Sequence, residues 1–155
     1  MNATKPLDRA ALEAHPLPML KDGGKESKGR ILILAGSREV PGAALLSATA
    51  AMRAGAGKLR IATVESIAPH VAVAMPEAMV VGLPEHRDGG FAGSAVAAIA
   101  EQAAEVDAIV AGPGMEANGA CERIAEALLD SPARLALDAA LLHELSPLED
   151  QQQVP

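Results

Sequence analysis

ILILAGSREVPGAALLSATAAMRAGAG, residues 31–57, is the stretch whose reading decides the fold. The apolar run Ile31 to Leu34 has the length and composition of a buried strand. It stops at Ala35-Gly36-Ser37, and Pro41 and Gly42 break the polar loop that follows. A helix of very small residues is expected over 42–54, stopped by Gly55-Ala56-Gly57. Its first turn is nearly bare backbone. Free N–H groups and the positive end of a helix dipole suit such a start to anions. Small side chains let a large ligand come close to the main chain.

The same alternation continues outward. Strand 58–64 (KLRIATV) leads to a helix near 66–73 with Pro69 in its first turn. Strand 78–82 (AMVVG) is followed by the turn-rich PEHRDGG, residues 84–90, and a helix over 93–104. Strand 107–111 turns at Gly112-Pro113-Gly114 into a helix over 117–130. Strand 134–138 (RLALD) precedes a short last helix, 139–145, ending near Ser146-Pro147. Short apolar runs alternating with helices are βαβ units. They imply an α/β, three-layer fold: a mainly parallel sheet, helices on both faces and right-handed crossovers. Upstream, Asp8 to Ala14 can form a short helix, His15-Pro16-Leu17-Pro18 reads as extended chain, and Lys21 to Gly29 as a loop. We therefore expect an arm over 1–29 and one α/β domain over 30–150.

Composition narrows the function. Phe91 is the one residue among Phe, Trp and Tyr, which argues against recognition of single strands by base stacking. Net charge is −7 with no basic stripe, which argues against duplex binding. The lone Cys121 excludes an internal disulfide framework and disfavours a cysteine-based zinc site. The N-terminal sequence lacks a signal peptide's apolar segment, and no run is long enough to span a bilayer, so the cytoplasm is expected.

Ligands of such sheets bind at the carboxyl ends of the strands. Gly36-Ser37, Gly112-Pro113-Gly114 and Asp138 all follow directly after apolar strands. Gly112-Pro113-Gly114 reads as a backbone approach for a phosphate or ring, or as a plain turn. The Asp138 carboxylate could meet a metal or a hydroxyl, or cap the next helix. Ala54-Gly55-Ala56-Gly57-Lys58 is not a P-loop: the required earlier glycine is Met52, and Leu59 replaces the Ser or Thr. His15, His70, His86 and His143 have no helical-spacing partner, so no metal site is expected. No Ser-His-Asp constellation is legible, and Ser37 lacks a nucleophile elbow.

Residues 29–141 resemble the ADP- or ATP-dependent NAD(P)H-hydrate dehydratases. The pieces are LILAGSREVPGAALLSATAAMRAGAGKL (32–59), MPEAMV (75–80), AIVAGPGM (108–115) and LALDAALL (135–142), in order and in spacing. The resemblance implies a ribokinase-like fold. It implies dehydration of the S epimer of hydrated NADH or NADPH, coupled to ADP or ATP hydrolysis with Mg²⁺. Phosphorylating the added hydroxyl first makes a far better leaving group than hydroxide. By the family pattern, Ala43, Gly112 and Gly114 contact the dinucleotide, with Asp138 as an addition.

The family pattern continues past 134–145 through a Thr-Pro-His segment to a Gly-rich loop ending in Gly-Asp, whose Asp is the base. Residues 1–155 contain neither Thr-Pro-His nor Gly-Asp. The reading is thus a C-terminally truncated, substrate-binding half with no catalytic residue of its own and negligible turnover alone. Its cut sheet should expose an apolar edge, making a homo-oligomer or a complementing C-terminal fragment the expected partner. A non-catalytic dinucleotide-binding relative is the alternative, and a small-molecule kinase of the same fold is a further one.

Overall fold

The computed structural model describes residues 8–14 and 28–145. The expectations for His15 to Pro18, for most of the Lys21 to Gly29 loop, and for the tail after Leu145 lie outside the described residues. Within them, the chain forms β1 (Arg30–Leu34), β2 (Lys58–Val64), β3 (Met79–Leu83), β4 (Ala108–Ala111) and β5 (Arg134–Leu137). The helices are α1 (Arg9–Ala14), α2 (Gly42–Arg53), α3 (Ala68–Ala74), α4 (Val96–Ala104) and α5 (Cys121–Leu129). Every strand pairing is parallel, in the order β3-β2-β1-β4-β5.

β1 is central because its carboxyl-terminal half can be buried on both faces. Leu32, Ile33 and Leu34 are fully buried, and Leu34 sits in register with Ala62 on one side and Ala111 on the other. α2 packs on β1 and β2 and touches α3, while α4 and α5 pack together on the other side. α2 lies close to the sheet because Ala44 and Ala48, one turn apart, form its buried face. It ends as its glycines suggested. Gly55 adopts φ 99°, and the Ala56 N–H donates back to the Ala51 carbonyl at 3.1 Å.

Several element boundaries differ from the sequence reading: β3 and β4 each start one residue later, and α4 starts at Val96 after a 3₁₀ turn over Gly93–Ala95. α3 starts at Ala68, because the Ser66 N–H is taken by the Glu85 carboxylate (3.2 Å) and Pro69 falls in the first turn. α5 starts at Cys121 rather than 117. The Asn118 side chain accepts the Ala120 N–H (2.9 Å) and its carbonyl the Cys121 N–H (3.0 Å), forming a separate turn. The last helix is a 3₁₀ segment, Ala139–Glu144, entered through Ala139 at φ 46°.

At the amino ends of the strands, Asp107 ties β1 to β4. Its Oδ2 accepts the Arg30 N–H (2.8 Å) and Nε–H (3.1 Å), and its Oδ1 accepts Nη2–H (2.8 Å). These side-chain and backbone hydrogen bonds from Arg30 hold the carboxyl at about 2. A carboxyl depressed on folding stabilises the native state above its unfolded value, about 4, and loses that contribution as pH falls toward the folded one. Both side chains are about half exposed, so added salt should weaken the effect. In urea titrations, Asp107→Asn should lower the midpoint by a constant amount above about pH 5, the gap closing between about pH 4 and 2.

Candidate functional site at the carboxyl ends of β1 and β4

The strand order reverses between β1 and β4. The chain steps outward from β1 to β2 and β3, then returns to the opposite side of β1. A crevice at the carboxyl ends of such a strand pair is where open α/β sheets bind ligands. Here the ladder continues past the strand ends. Gly112 N–H donates to the Leu34 carbonyl (3.1 Å), and Gly36 N–H donates to the Pro113 carbonyl (2.8 Å). Gly36 takes φ 85°, and the Thr63 hydroxyl lies 3.1 Å from where a Cβ would stand. That hydroxyl is fully buried and has no hydrogen-bond partner among the described residues. An unspent buried hydroxyl next to the crevice suits a site that receives a polar ligand.

The first turn of α2 faces this crevice. No side chain caps it, and the Ala43 N–H reaches the Val40 carbonyl only at 3.4 Å. Gly42 is exposed, and Ala43, Pro113 and Gly114 are half-buried, so the mouth is accessible from outside. The sequence-predicted residues fall into two contacting pairs. A Cβ on Gly114 would stand 2.4 Å from the Ala43 Cβ and 3.1 Å from the Val40 carbonyl oxygen. A Cβ on Gly112 would stand 1.9 Å from the Asp138 carbonyl oxygen. Gly112 itself is buried. These glycines therefore let chain meet chain as well as chain meet ligand. Asp138 is exposed and makes no side-chain cap to the segment after it; only its carbonyl accepts, from the Leu141 N–H at 3.2 Å. Hollows of about 360 and 270 Å³ open elsewhere: the first around Arg30, Lys58 and Glu77, the second around His86, Asn118 and Arg123.

Sequence reading missed the framework around the mouth. Residues 84–92 form a tight hairpin, with Glu85 bridging antiparallel to Phe91 and Gly89 at φ 92°. Asp88 accepts the Gly90 N–H (2.9 Å) and the Asn118 amide (3.2 Å), and His86 Nδ1 lies 2.8 Å from its Oδ2. The Gly90 hydrogen bond leads in holding the Asp88 carboxyl below its usual range, with His86 and Asn118 adding to it against burial. Glu85 is ion-paired to Arg38 and accepts the Ser66 N–H. Burial alone would raise its carboxyl, but the Ser66 bonds and Arg38 together hold it down. No local pattern marks the pairs that cross between loops, Arg38 with Glu85 and Asn118 with Asp88, because their partners lie far apart in sequence.

Glycine substitutions can test the geometry. Gly112→Ala and Gly114→Ala meet both positive φ (116° and 65°) and occupied space, so each should cost roughly 2 kcal/mol or more. Gly42 has nothing within 4 Å of a Cβ position, so Gly42→Ala should add about 0.4–1 kcal/mol. Urea denaturation of the three variants reads both signs.

Comparison with known proteins agrees with this architecture. A family profile described as NAD(P)H-hydrate dehydratase matches residues 31–154. The ADP-dependent (S)-NAD(P)H-hydrate dehydratase of Xanthomonas campestris is 46% identical over 134 residues, covering 86% of this chain and 46% of that protein. The Bacillus subtilis protein of the same name is 36% identical over 118 residues, covering 76% and 40%. A crystal structure of the Bacillus subtilis ADP/ATP-dependent dehydratase, co-crystallised with ATP/Mg²⁺, superposes with TM-score 0.63 at 31% identity. That alignment covers 83% of this chain and 43% of the solved one. A ribokinase-like superfamily protein from Enterococcus faecalis superposes at TM-score 0.60 and 25% identity, over 79% and 40%. The chain thus spans less than half the length of these relatives. On this shared fold and sequence, it belongs to the NAD(P)H-hydrate dehydratase family.

Proposed function

We propose that residues 1–155 form the dinucleotide-holding half of an ADP-dependent (S)-NAD(P)H-hydrate dehydratase. The carrying observation is the uncapped first turn of α2, set against Gly114 where the strand order reverses. Ala43, Gly112 and Gly114 would border the hydrated dinucleotide, with Asp138 at the rim. Amides of α2 and the helix dipole favour its negatively charged phosphates. The unpartnered Thr63 hydroxyl adds a polar group beneath Gly36.

These residues bind; they do not supply the chemistry. The described residues contain no group of three His, Cys, Asp or Glu side chains able to hold a metal ion. Residues 1–155 also contain no Gly-Asp loop to provide a base. The described residues therefore offer no fit for Mg²⁺. In calorimetry the chain should bind the S epimer of NADPH hydrate. In an assay with ADP and Mg²⁺ it should consume none. Absence of binding overturns the site, and robust turnover overturns the division of labour.

We also infer that the β5 side of the sheet associates with other chains. Among the described residues the outer edge of β5 is unpaired, and Leu129, Leu142 and Leu145 are exposed nearby. Unpaired edge groups beside apolar surface favour association. Without a complementing fragment, light scattering should show self-association. A monomer with a sharp unfolding transition would overturn this.

A further inference from the structure

We propose that Glu85 is a positioning residue for the dinucleotide mouth, acting through Arg38 to hold Val40 and Ala43 against Gly114. The inference rests on the dinucleotide reading above. The Glu85 side chain is only 5% exposed. A carboxylate is costly to bury unless its oxygens are satisfied. Here Oε1 is ion-paired to the Arg38 guanidinium without an aligned hydrogen bond, and Oε2 accepts the Ser66 N–H at 3.2 Å. One buried carboxylate thus joins the loops that follow β1, β2 and β3.

Arg38 is held at more than its guanidinium. Its backbone N–H donates to the Gly89 carbonyl (2.9 Å), and Nη1–H donates to the Arg87 carbonyl (3.4 Å). A Cβ on Gly89 would stand 3.0 Å from the Arg38 Cβ, so hairpin and loop are in tight contact. The remaining non-helical hydrogen bonds of 37–43 are internal: the Val40 N–H donates to the Ser37 carbonyl and hydroxyl, and the Ala43 N–H to the Val40 carbonyl. Among the described residues and outside the hydrogen bonds of α2 itself, Arg38 alone ties 37–43 to another part of the chain by hydrogen bond or ion pair. On the inner side the same loop is stopped by Gly114, whose missing Cβ would overlap the Ala43 Cβ and crowd the Val40 oxygen. The loop is therefore pinned outside by an ion pair and seated inside by contact. Releasing the outer pin lets the first turn of α2 leave the position in which its amides face a ligand.

The test compares Glu85→Gln, Arg38→Met, their double variant and Arg38→Lys. Amide hydrogen exchange at Arg38 and Val40 should rise about tenfold in the first two, while the β1 and β4 amides stay protected. Affinity for the S epimer of NADPH hydrate should fall about tenfold in each, and the double variant should fall no further, because both remove one linkage. Arg38→Lys should restore most of the affinity. If Glu85→Gln does not fold, Arg38→Met, with a half-exposed side chain, gives the same readout. Wild-type binding with unchanged affinity in the variants, or losses that add in the double variant, overturns this inference alone. Failure of the wild type to bind overturns the dinucleotide reading and this inference together.

Discussion

Double-sided burial of β1 is the constraint on which the rest of the structure depends. Its residues are hydrogen-bonded along both edges, by β2 and by β4, and Leu32 to Leu34 are covered on both faces. Past the exposed Arg30 such a strand must be apolar, and its neighbours here are both parallel and so are reached by crossovers. Placing β2 and β3 on one side and β4 and β5 on the other forces the reversal of strand order beside β1. The crevice is a by-product of that topology. What makes it chemically useful is the small-residue α2 that follows directly from the same strand.

The crevice is built by backbone more than by side chains. Gly36 bonds to Pro113, Gly114 meets Ala43, and Gly112 meets the backbone of Asp138. Each contact brings together loops that follow different strands. Side chains enter one shell out, where the 84–92 hairpin holds Arg38 on one flank through Glu85 and Asn118 on the other through Asp88.

Periodicity made the framework legible. Strand 58–64 and the helix starting at Gly42 match the structure residue for residue at those positions, because apolar runs and glycine stops are local signals. Boundaries failed where a side chain captured an amide ahead of a helix, as Glu85 does for Ser66 and Asn118 for Ala120. The placement of Gly36, Gly112, Gly114 and Asp138 after strands was readable. Their pairing across the crevice was not, since it depends on which strands become neighbours. Of the two readings open for Asp138, the side-chain cap is absent, and Ala139 turns the chain there at positive φ. The Arg38–Glu85 linkage spans separate loops and has no signature in either.

Phe91 carries the sole benzyl ring, and it is buried in the hairpin directly opposite Glu85. With neither tryptophan nor tyrosine, the polypeptide scarcely absorbs in the near ultraviolet. A reduced nicotinamide bound to it would therefore be seen by its own absorption and emission, with no indole or phenol to overlap or quench. The lone benzyl ring gives one set of phenylalanine resonances, set beside only the imidazole protons of four histidines, so the signals of the hairpin are few.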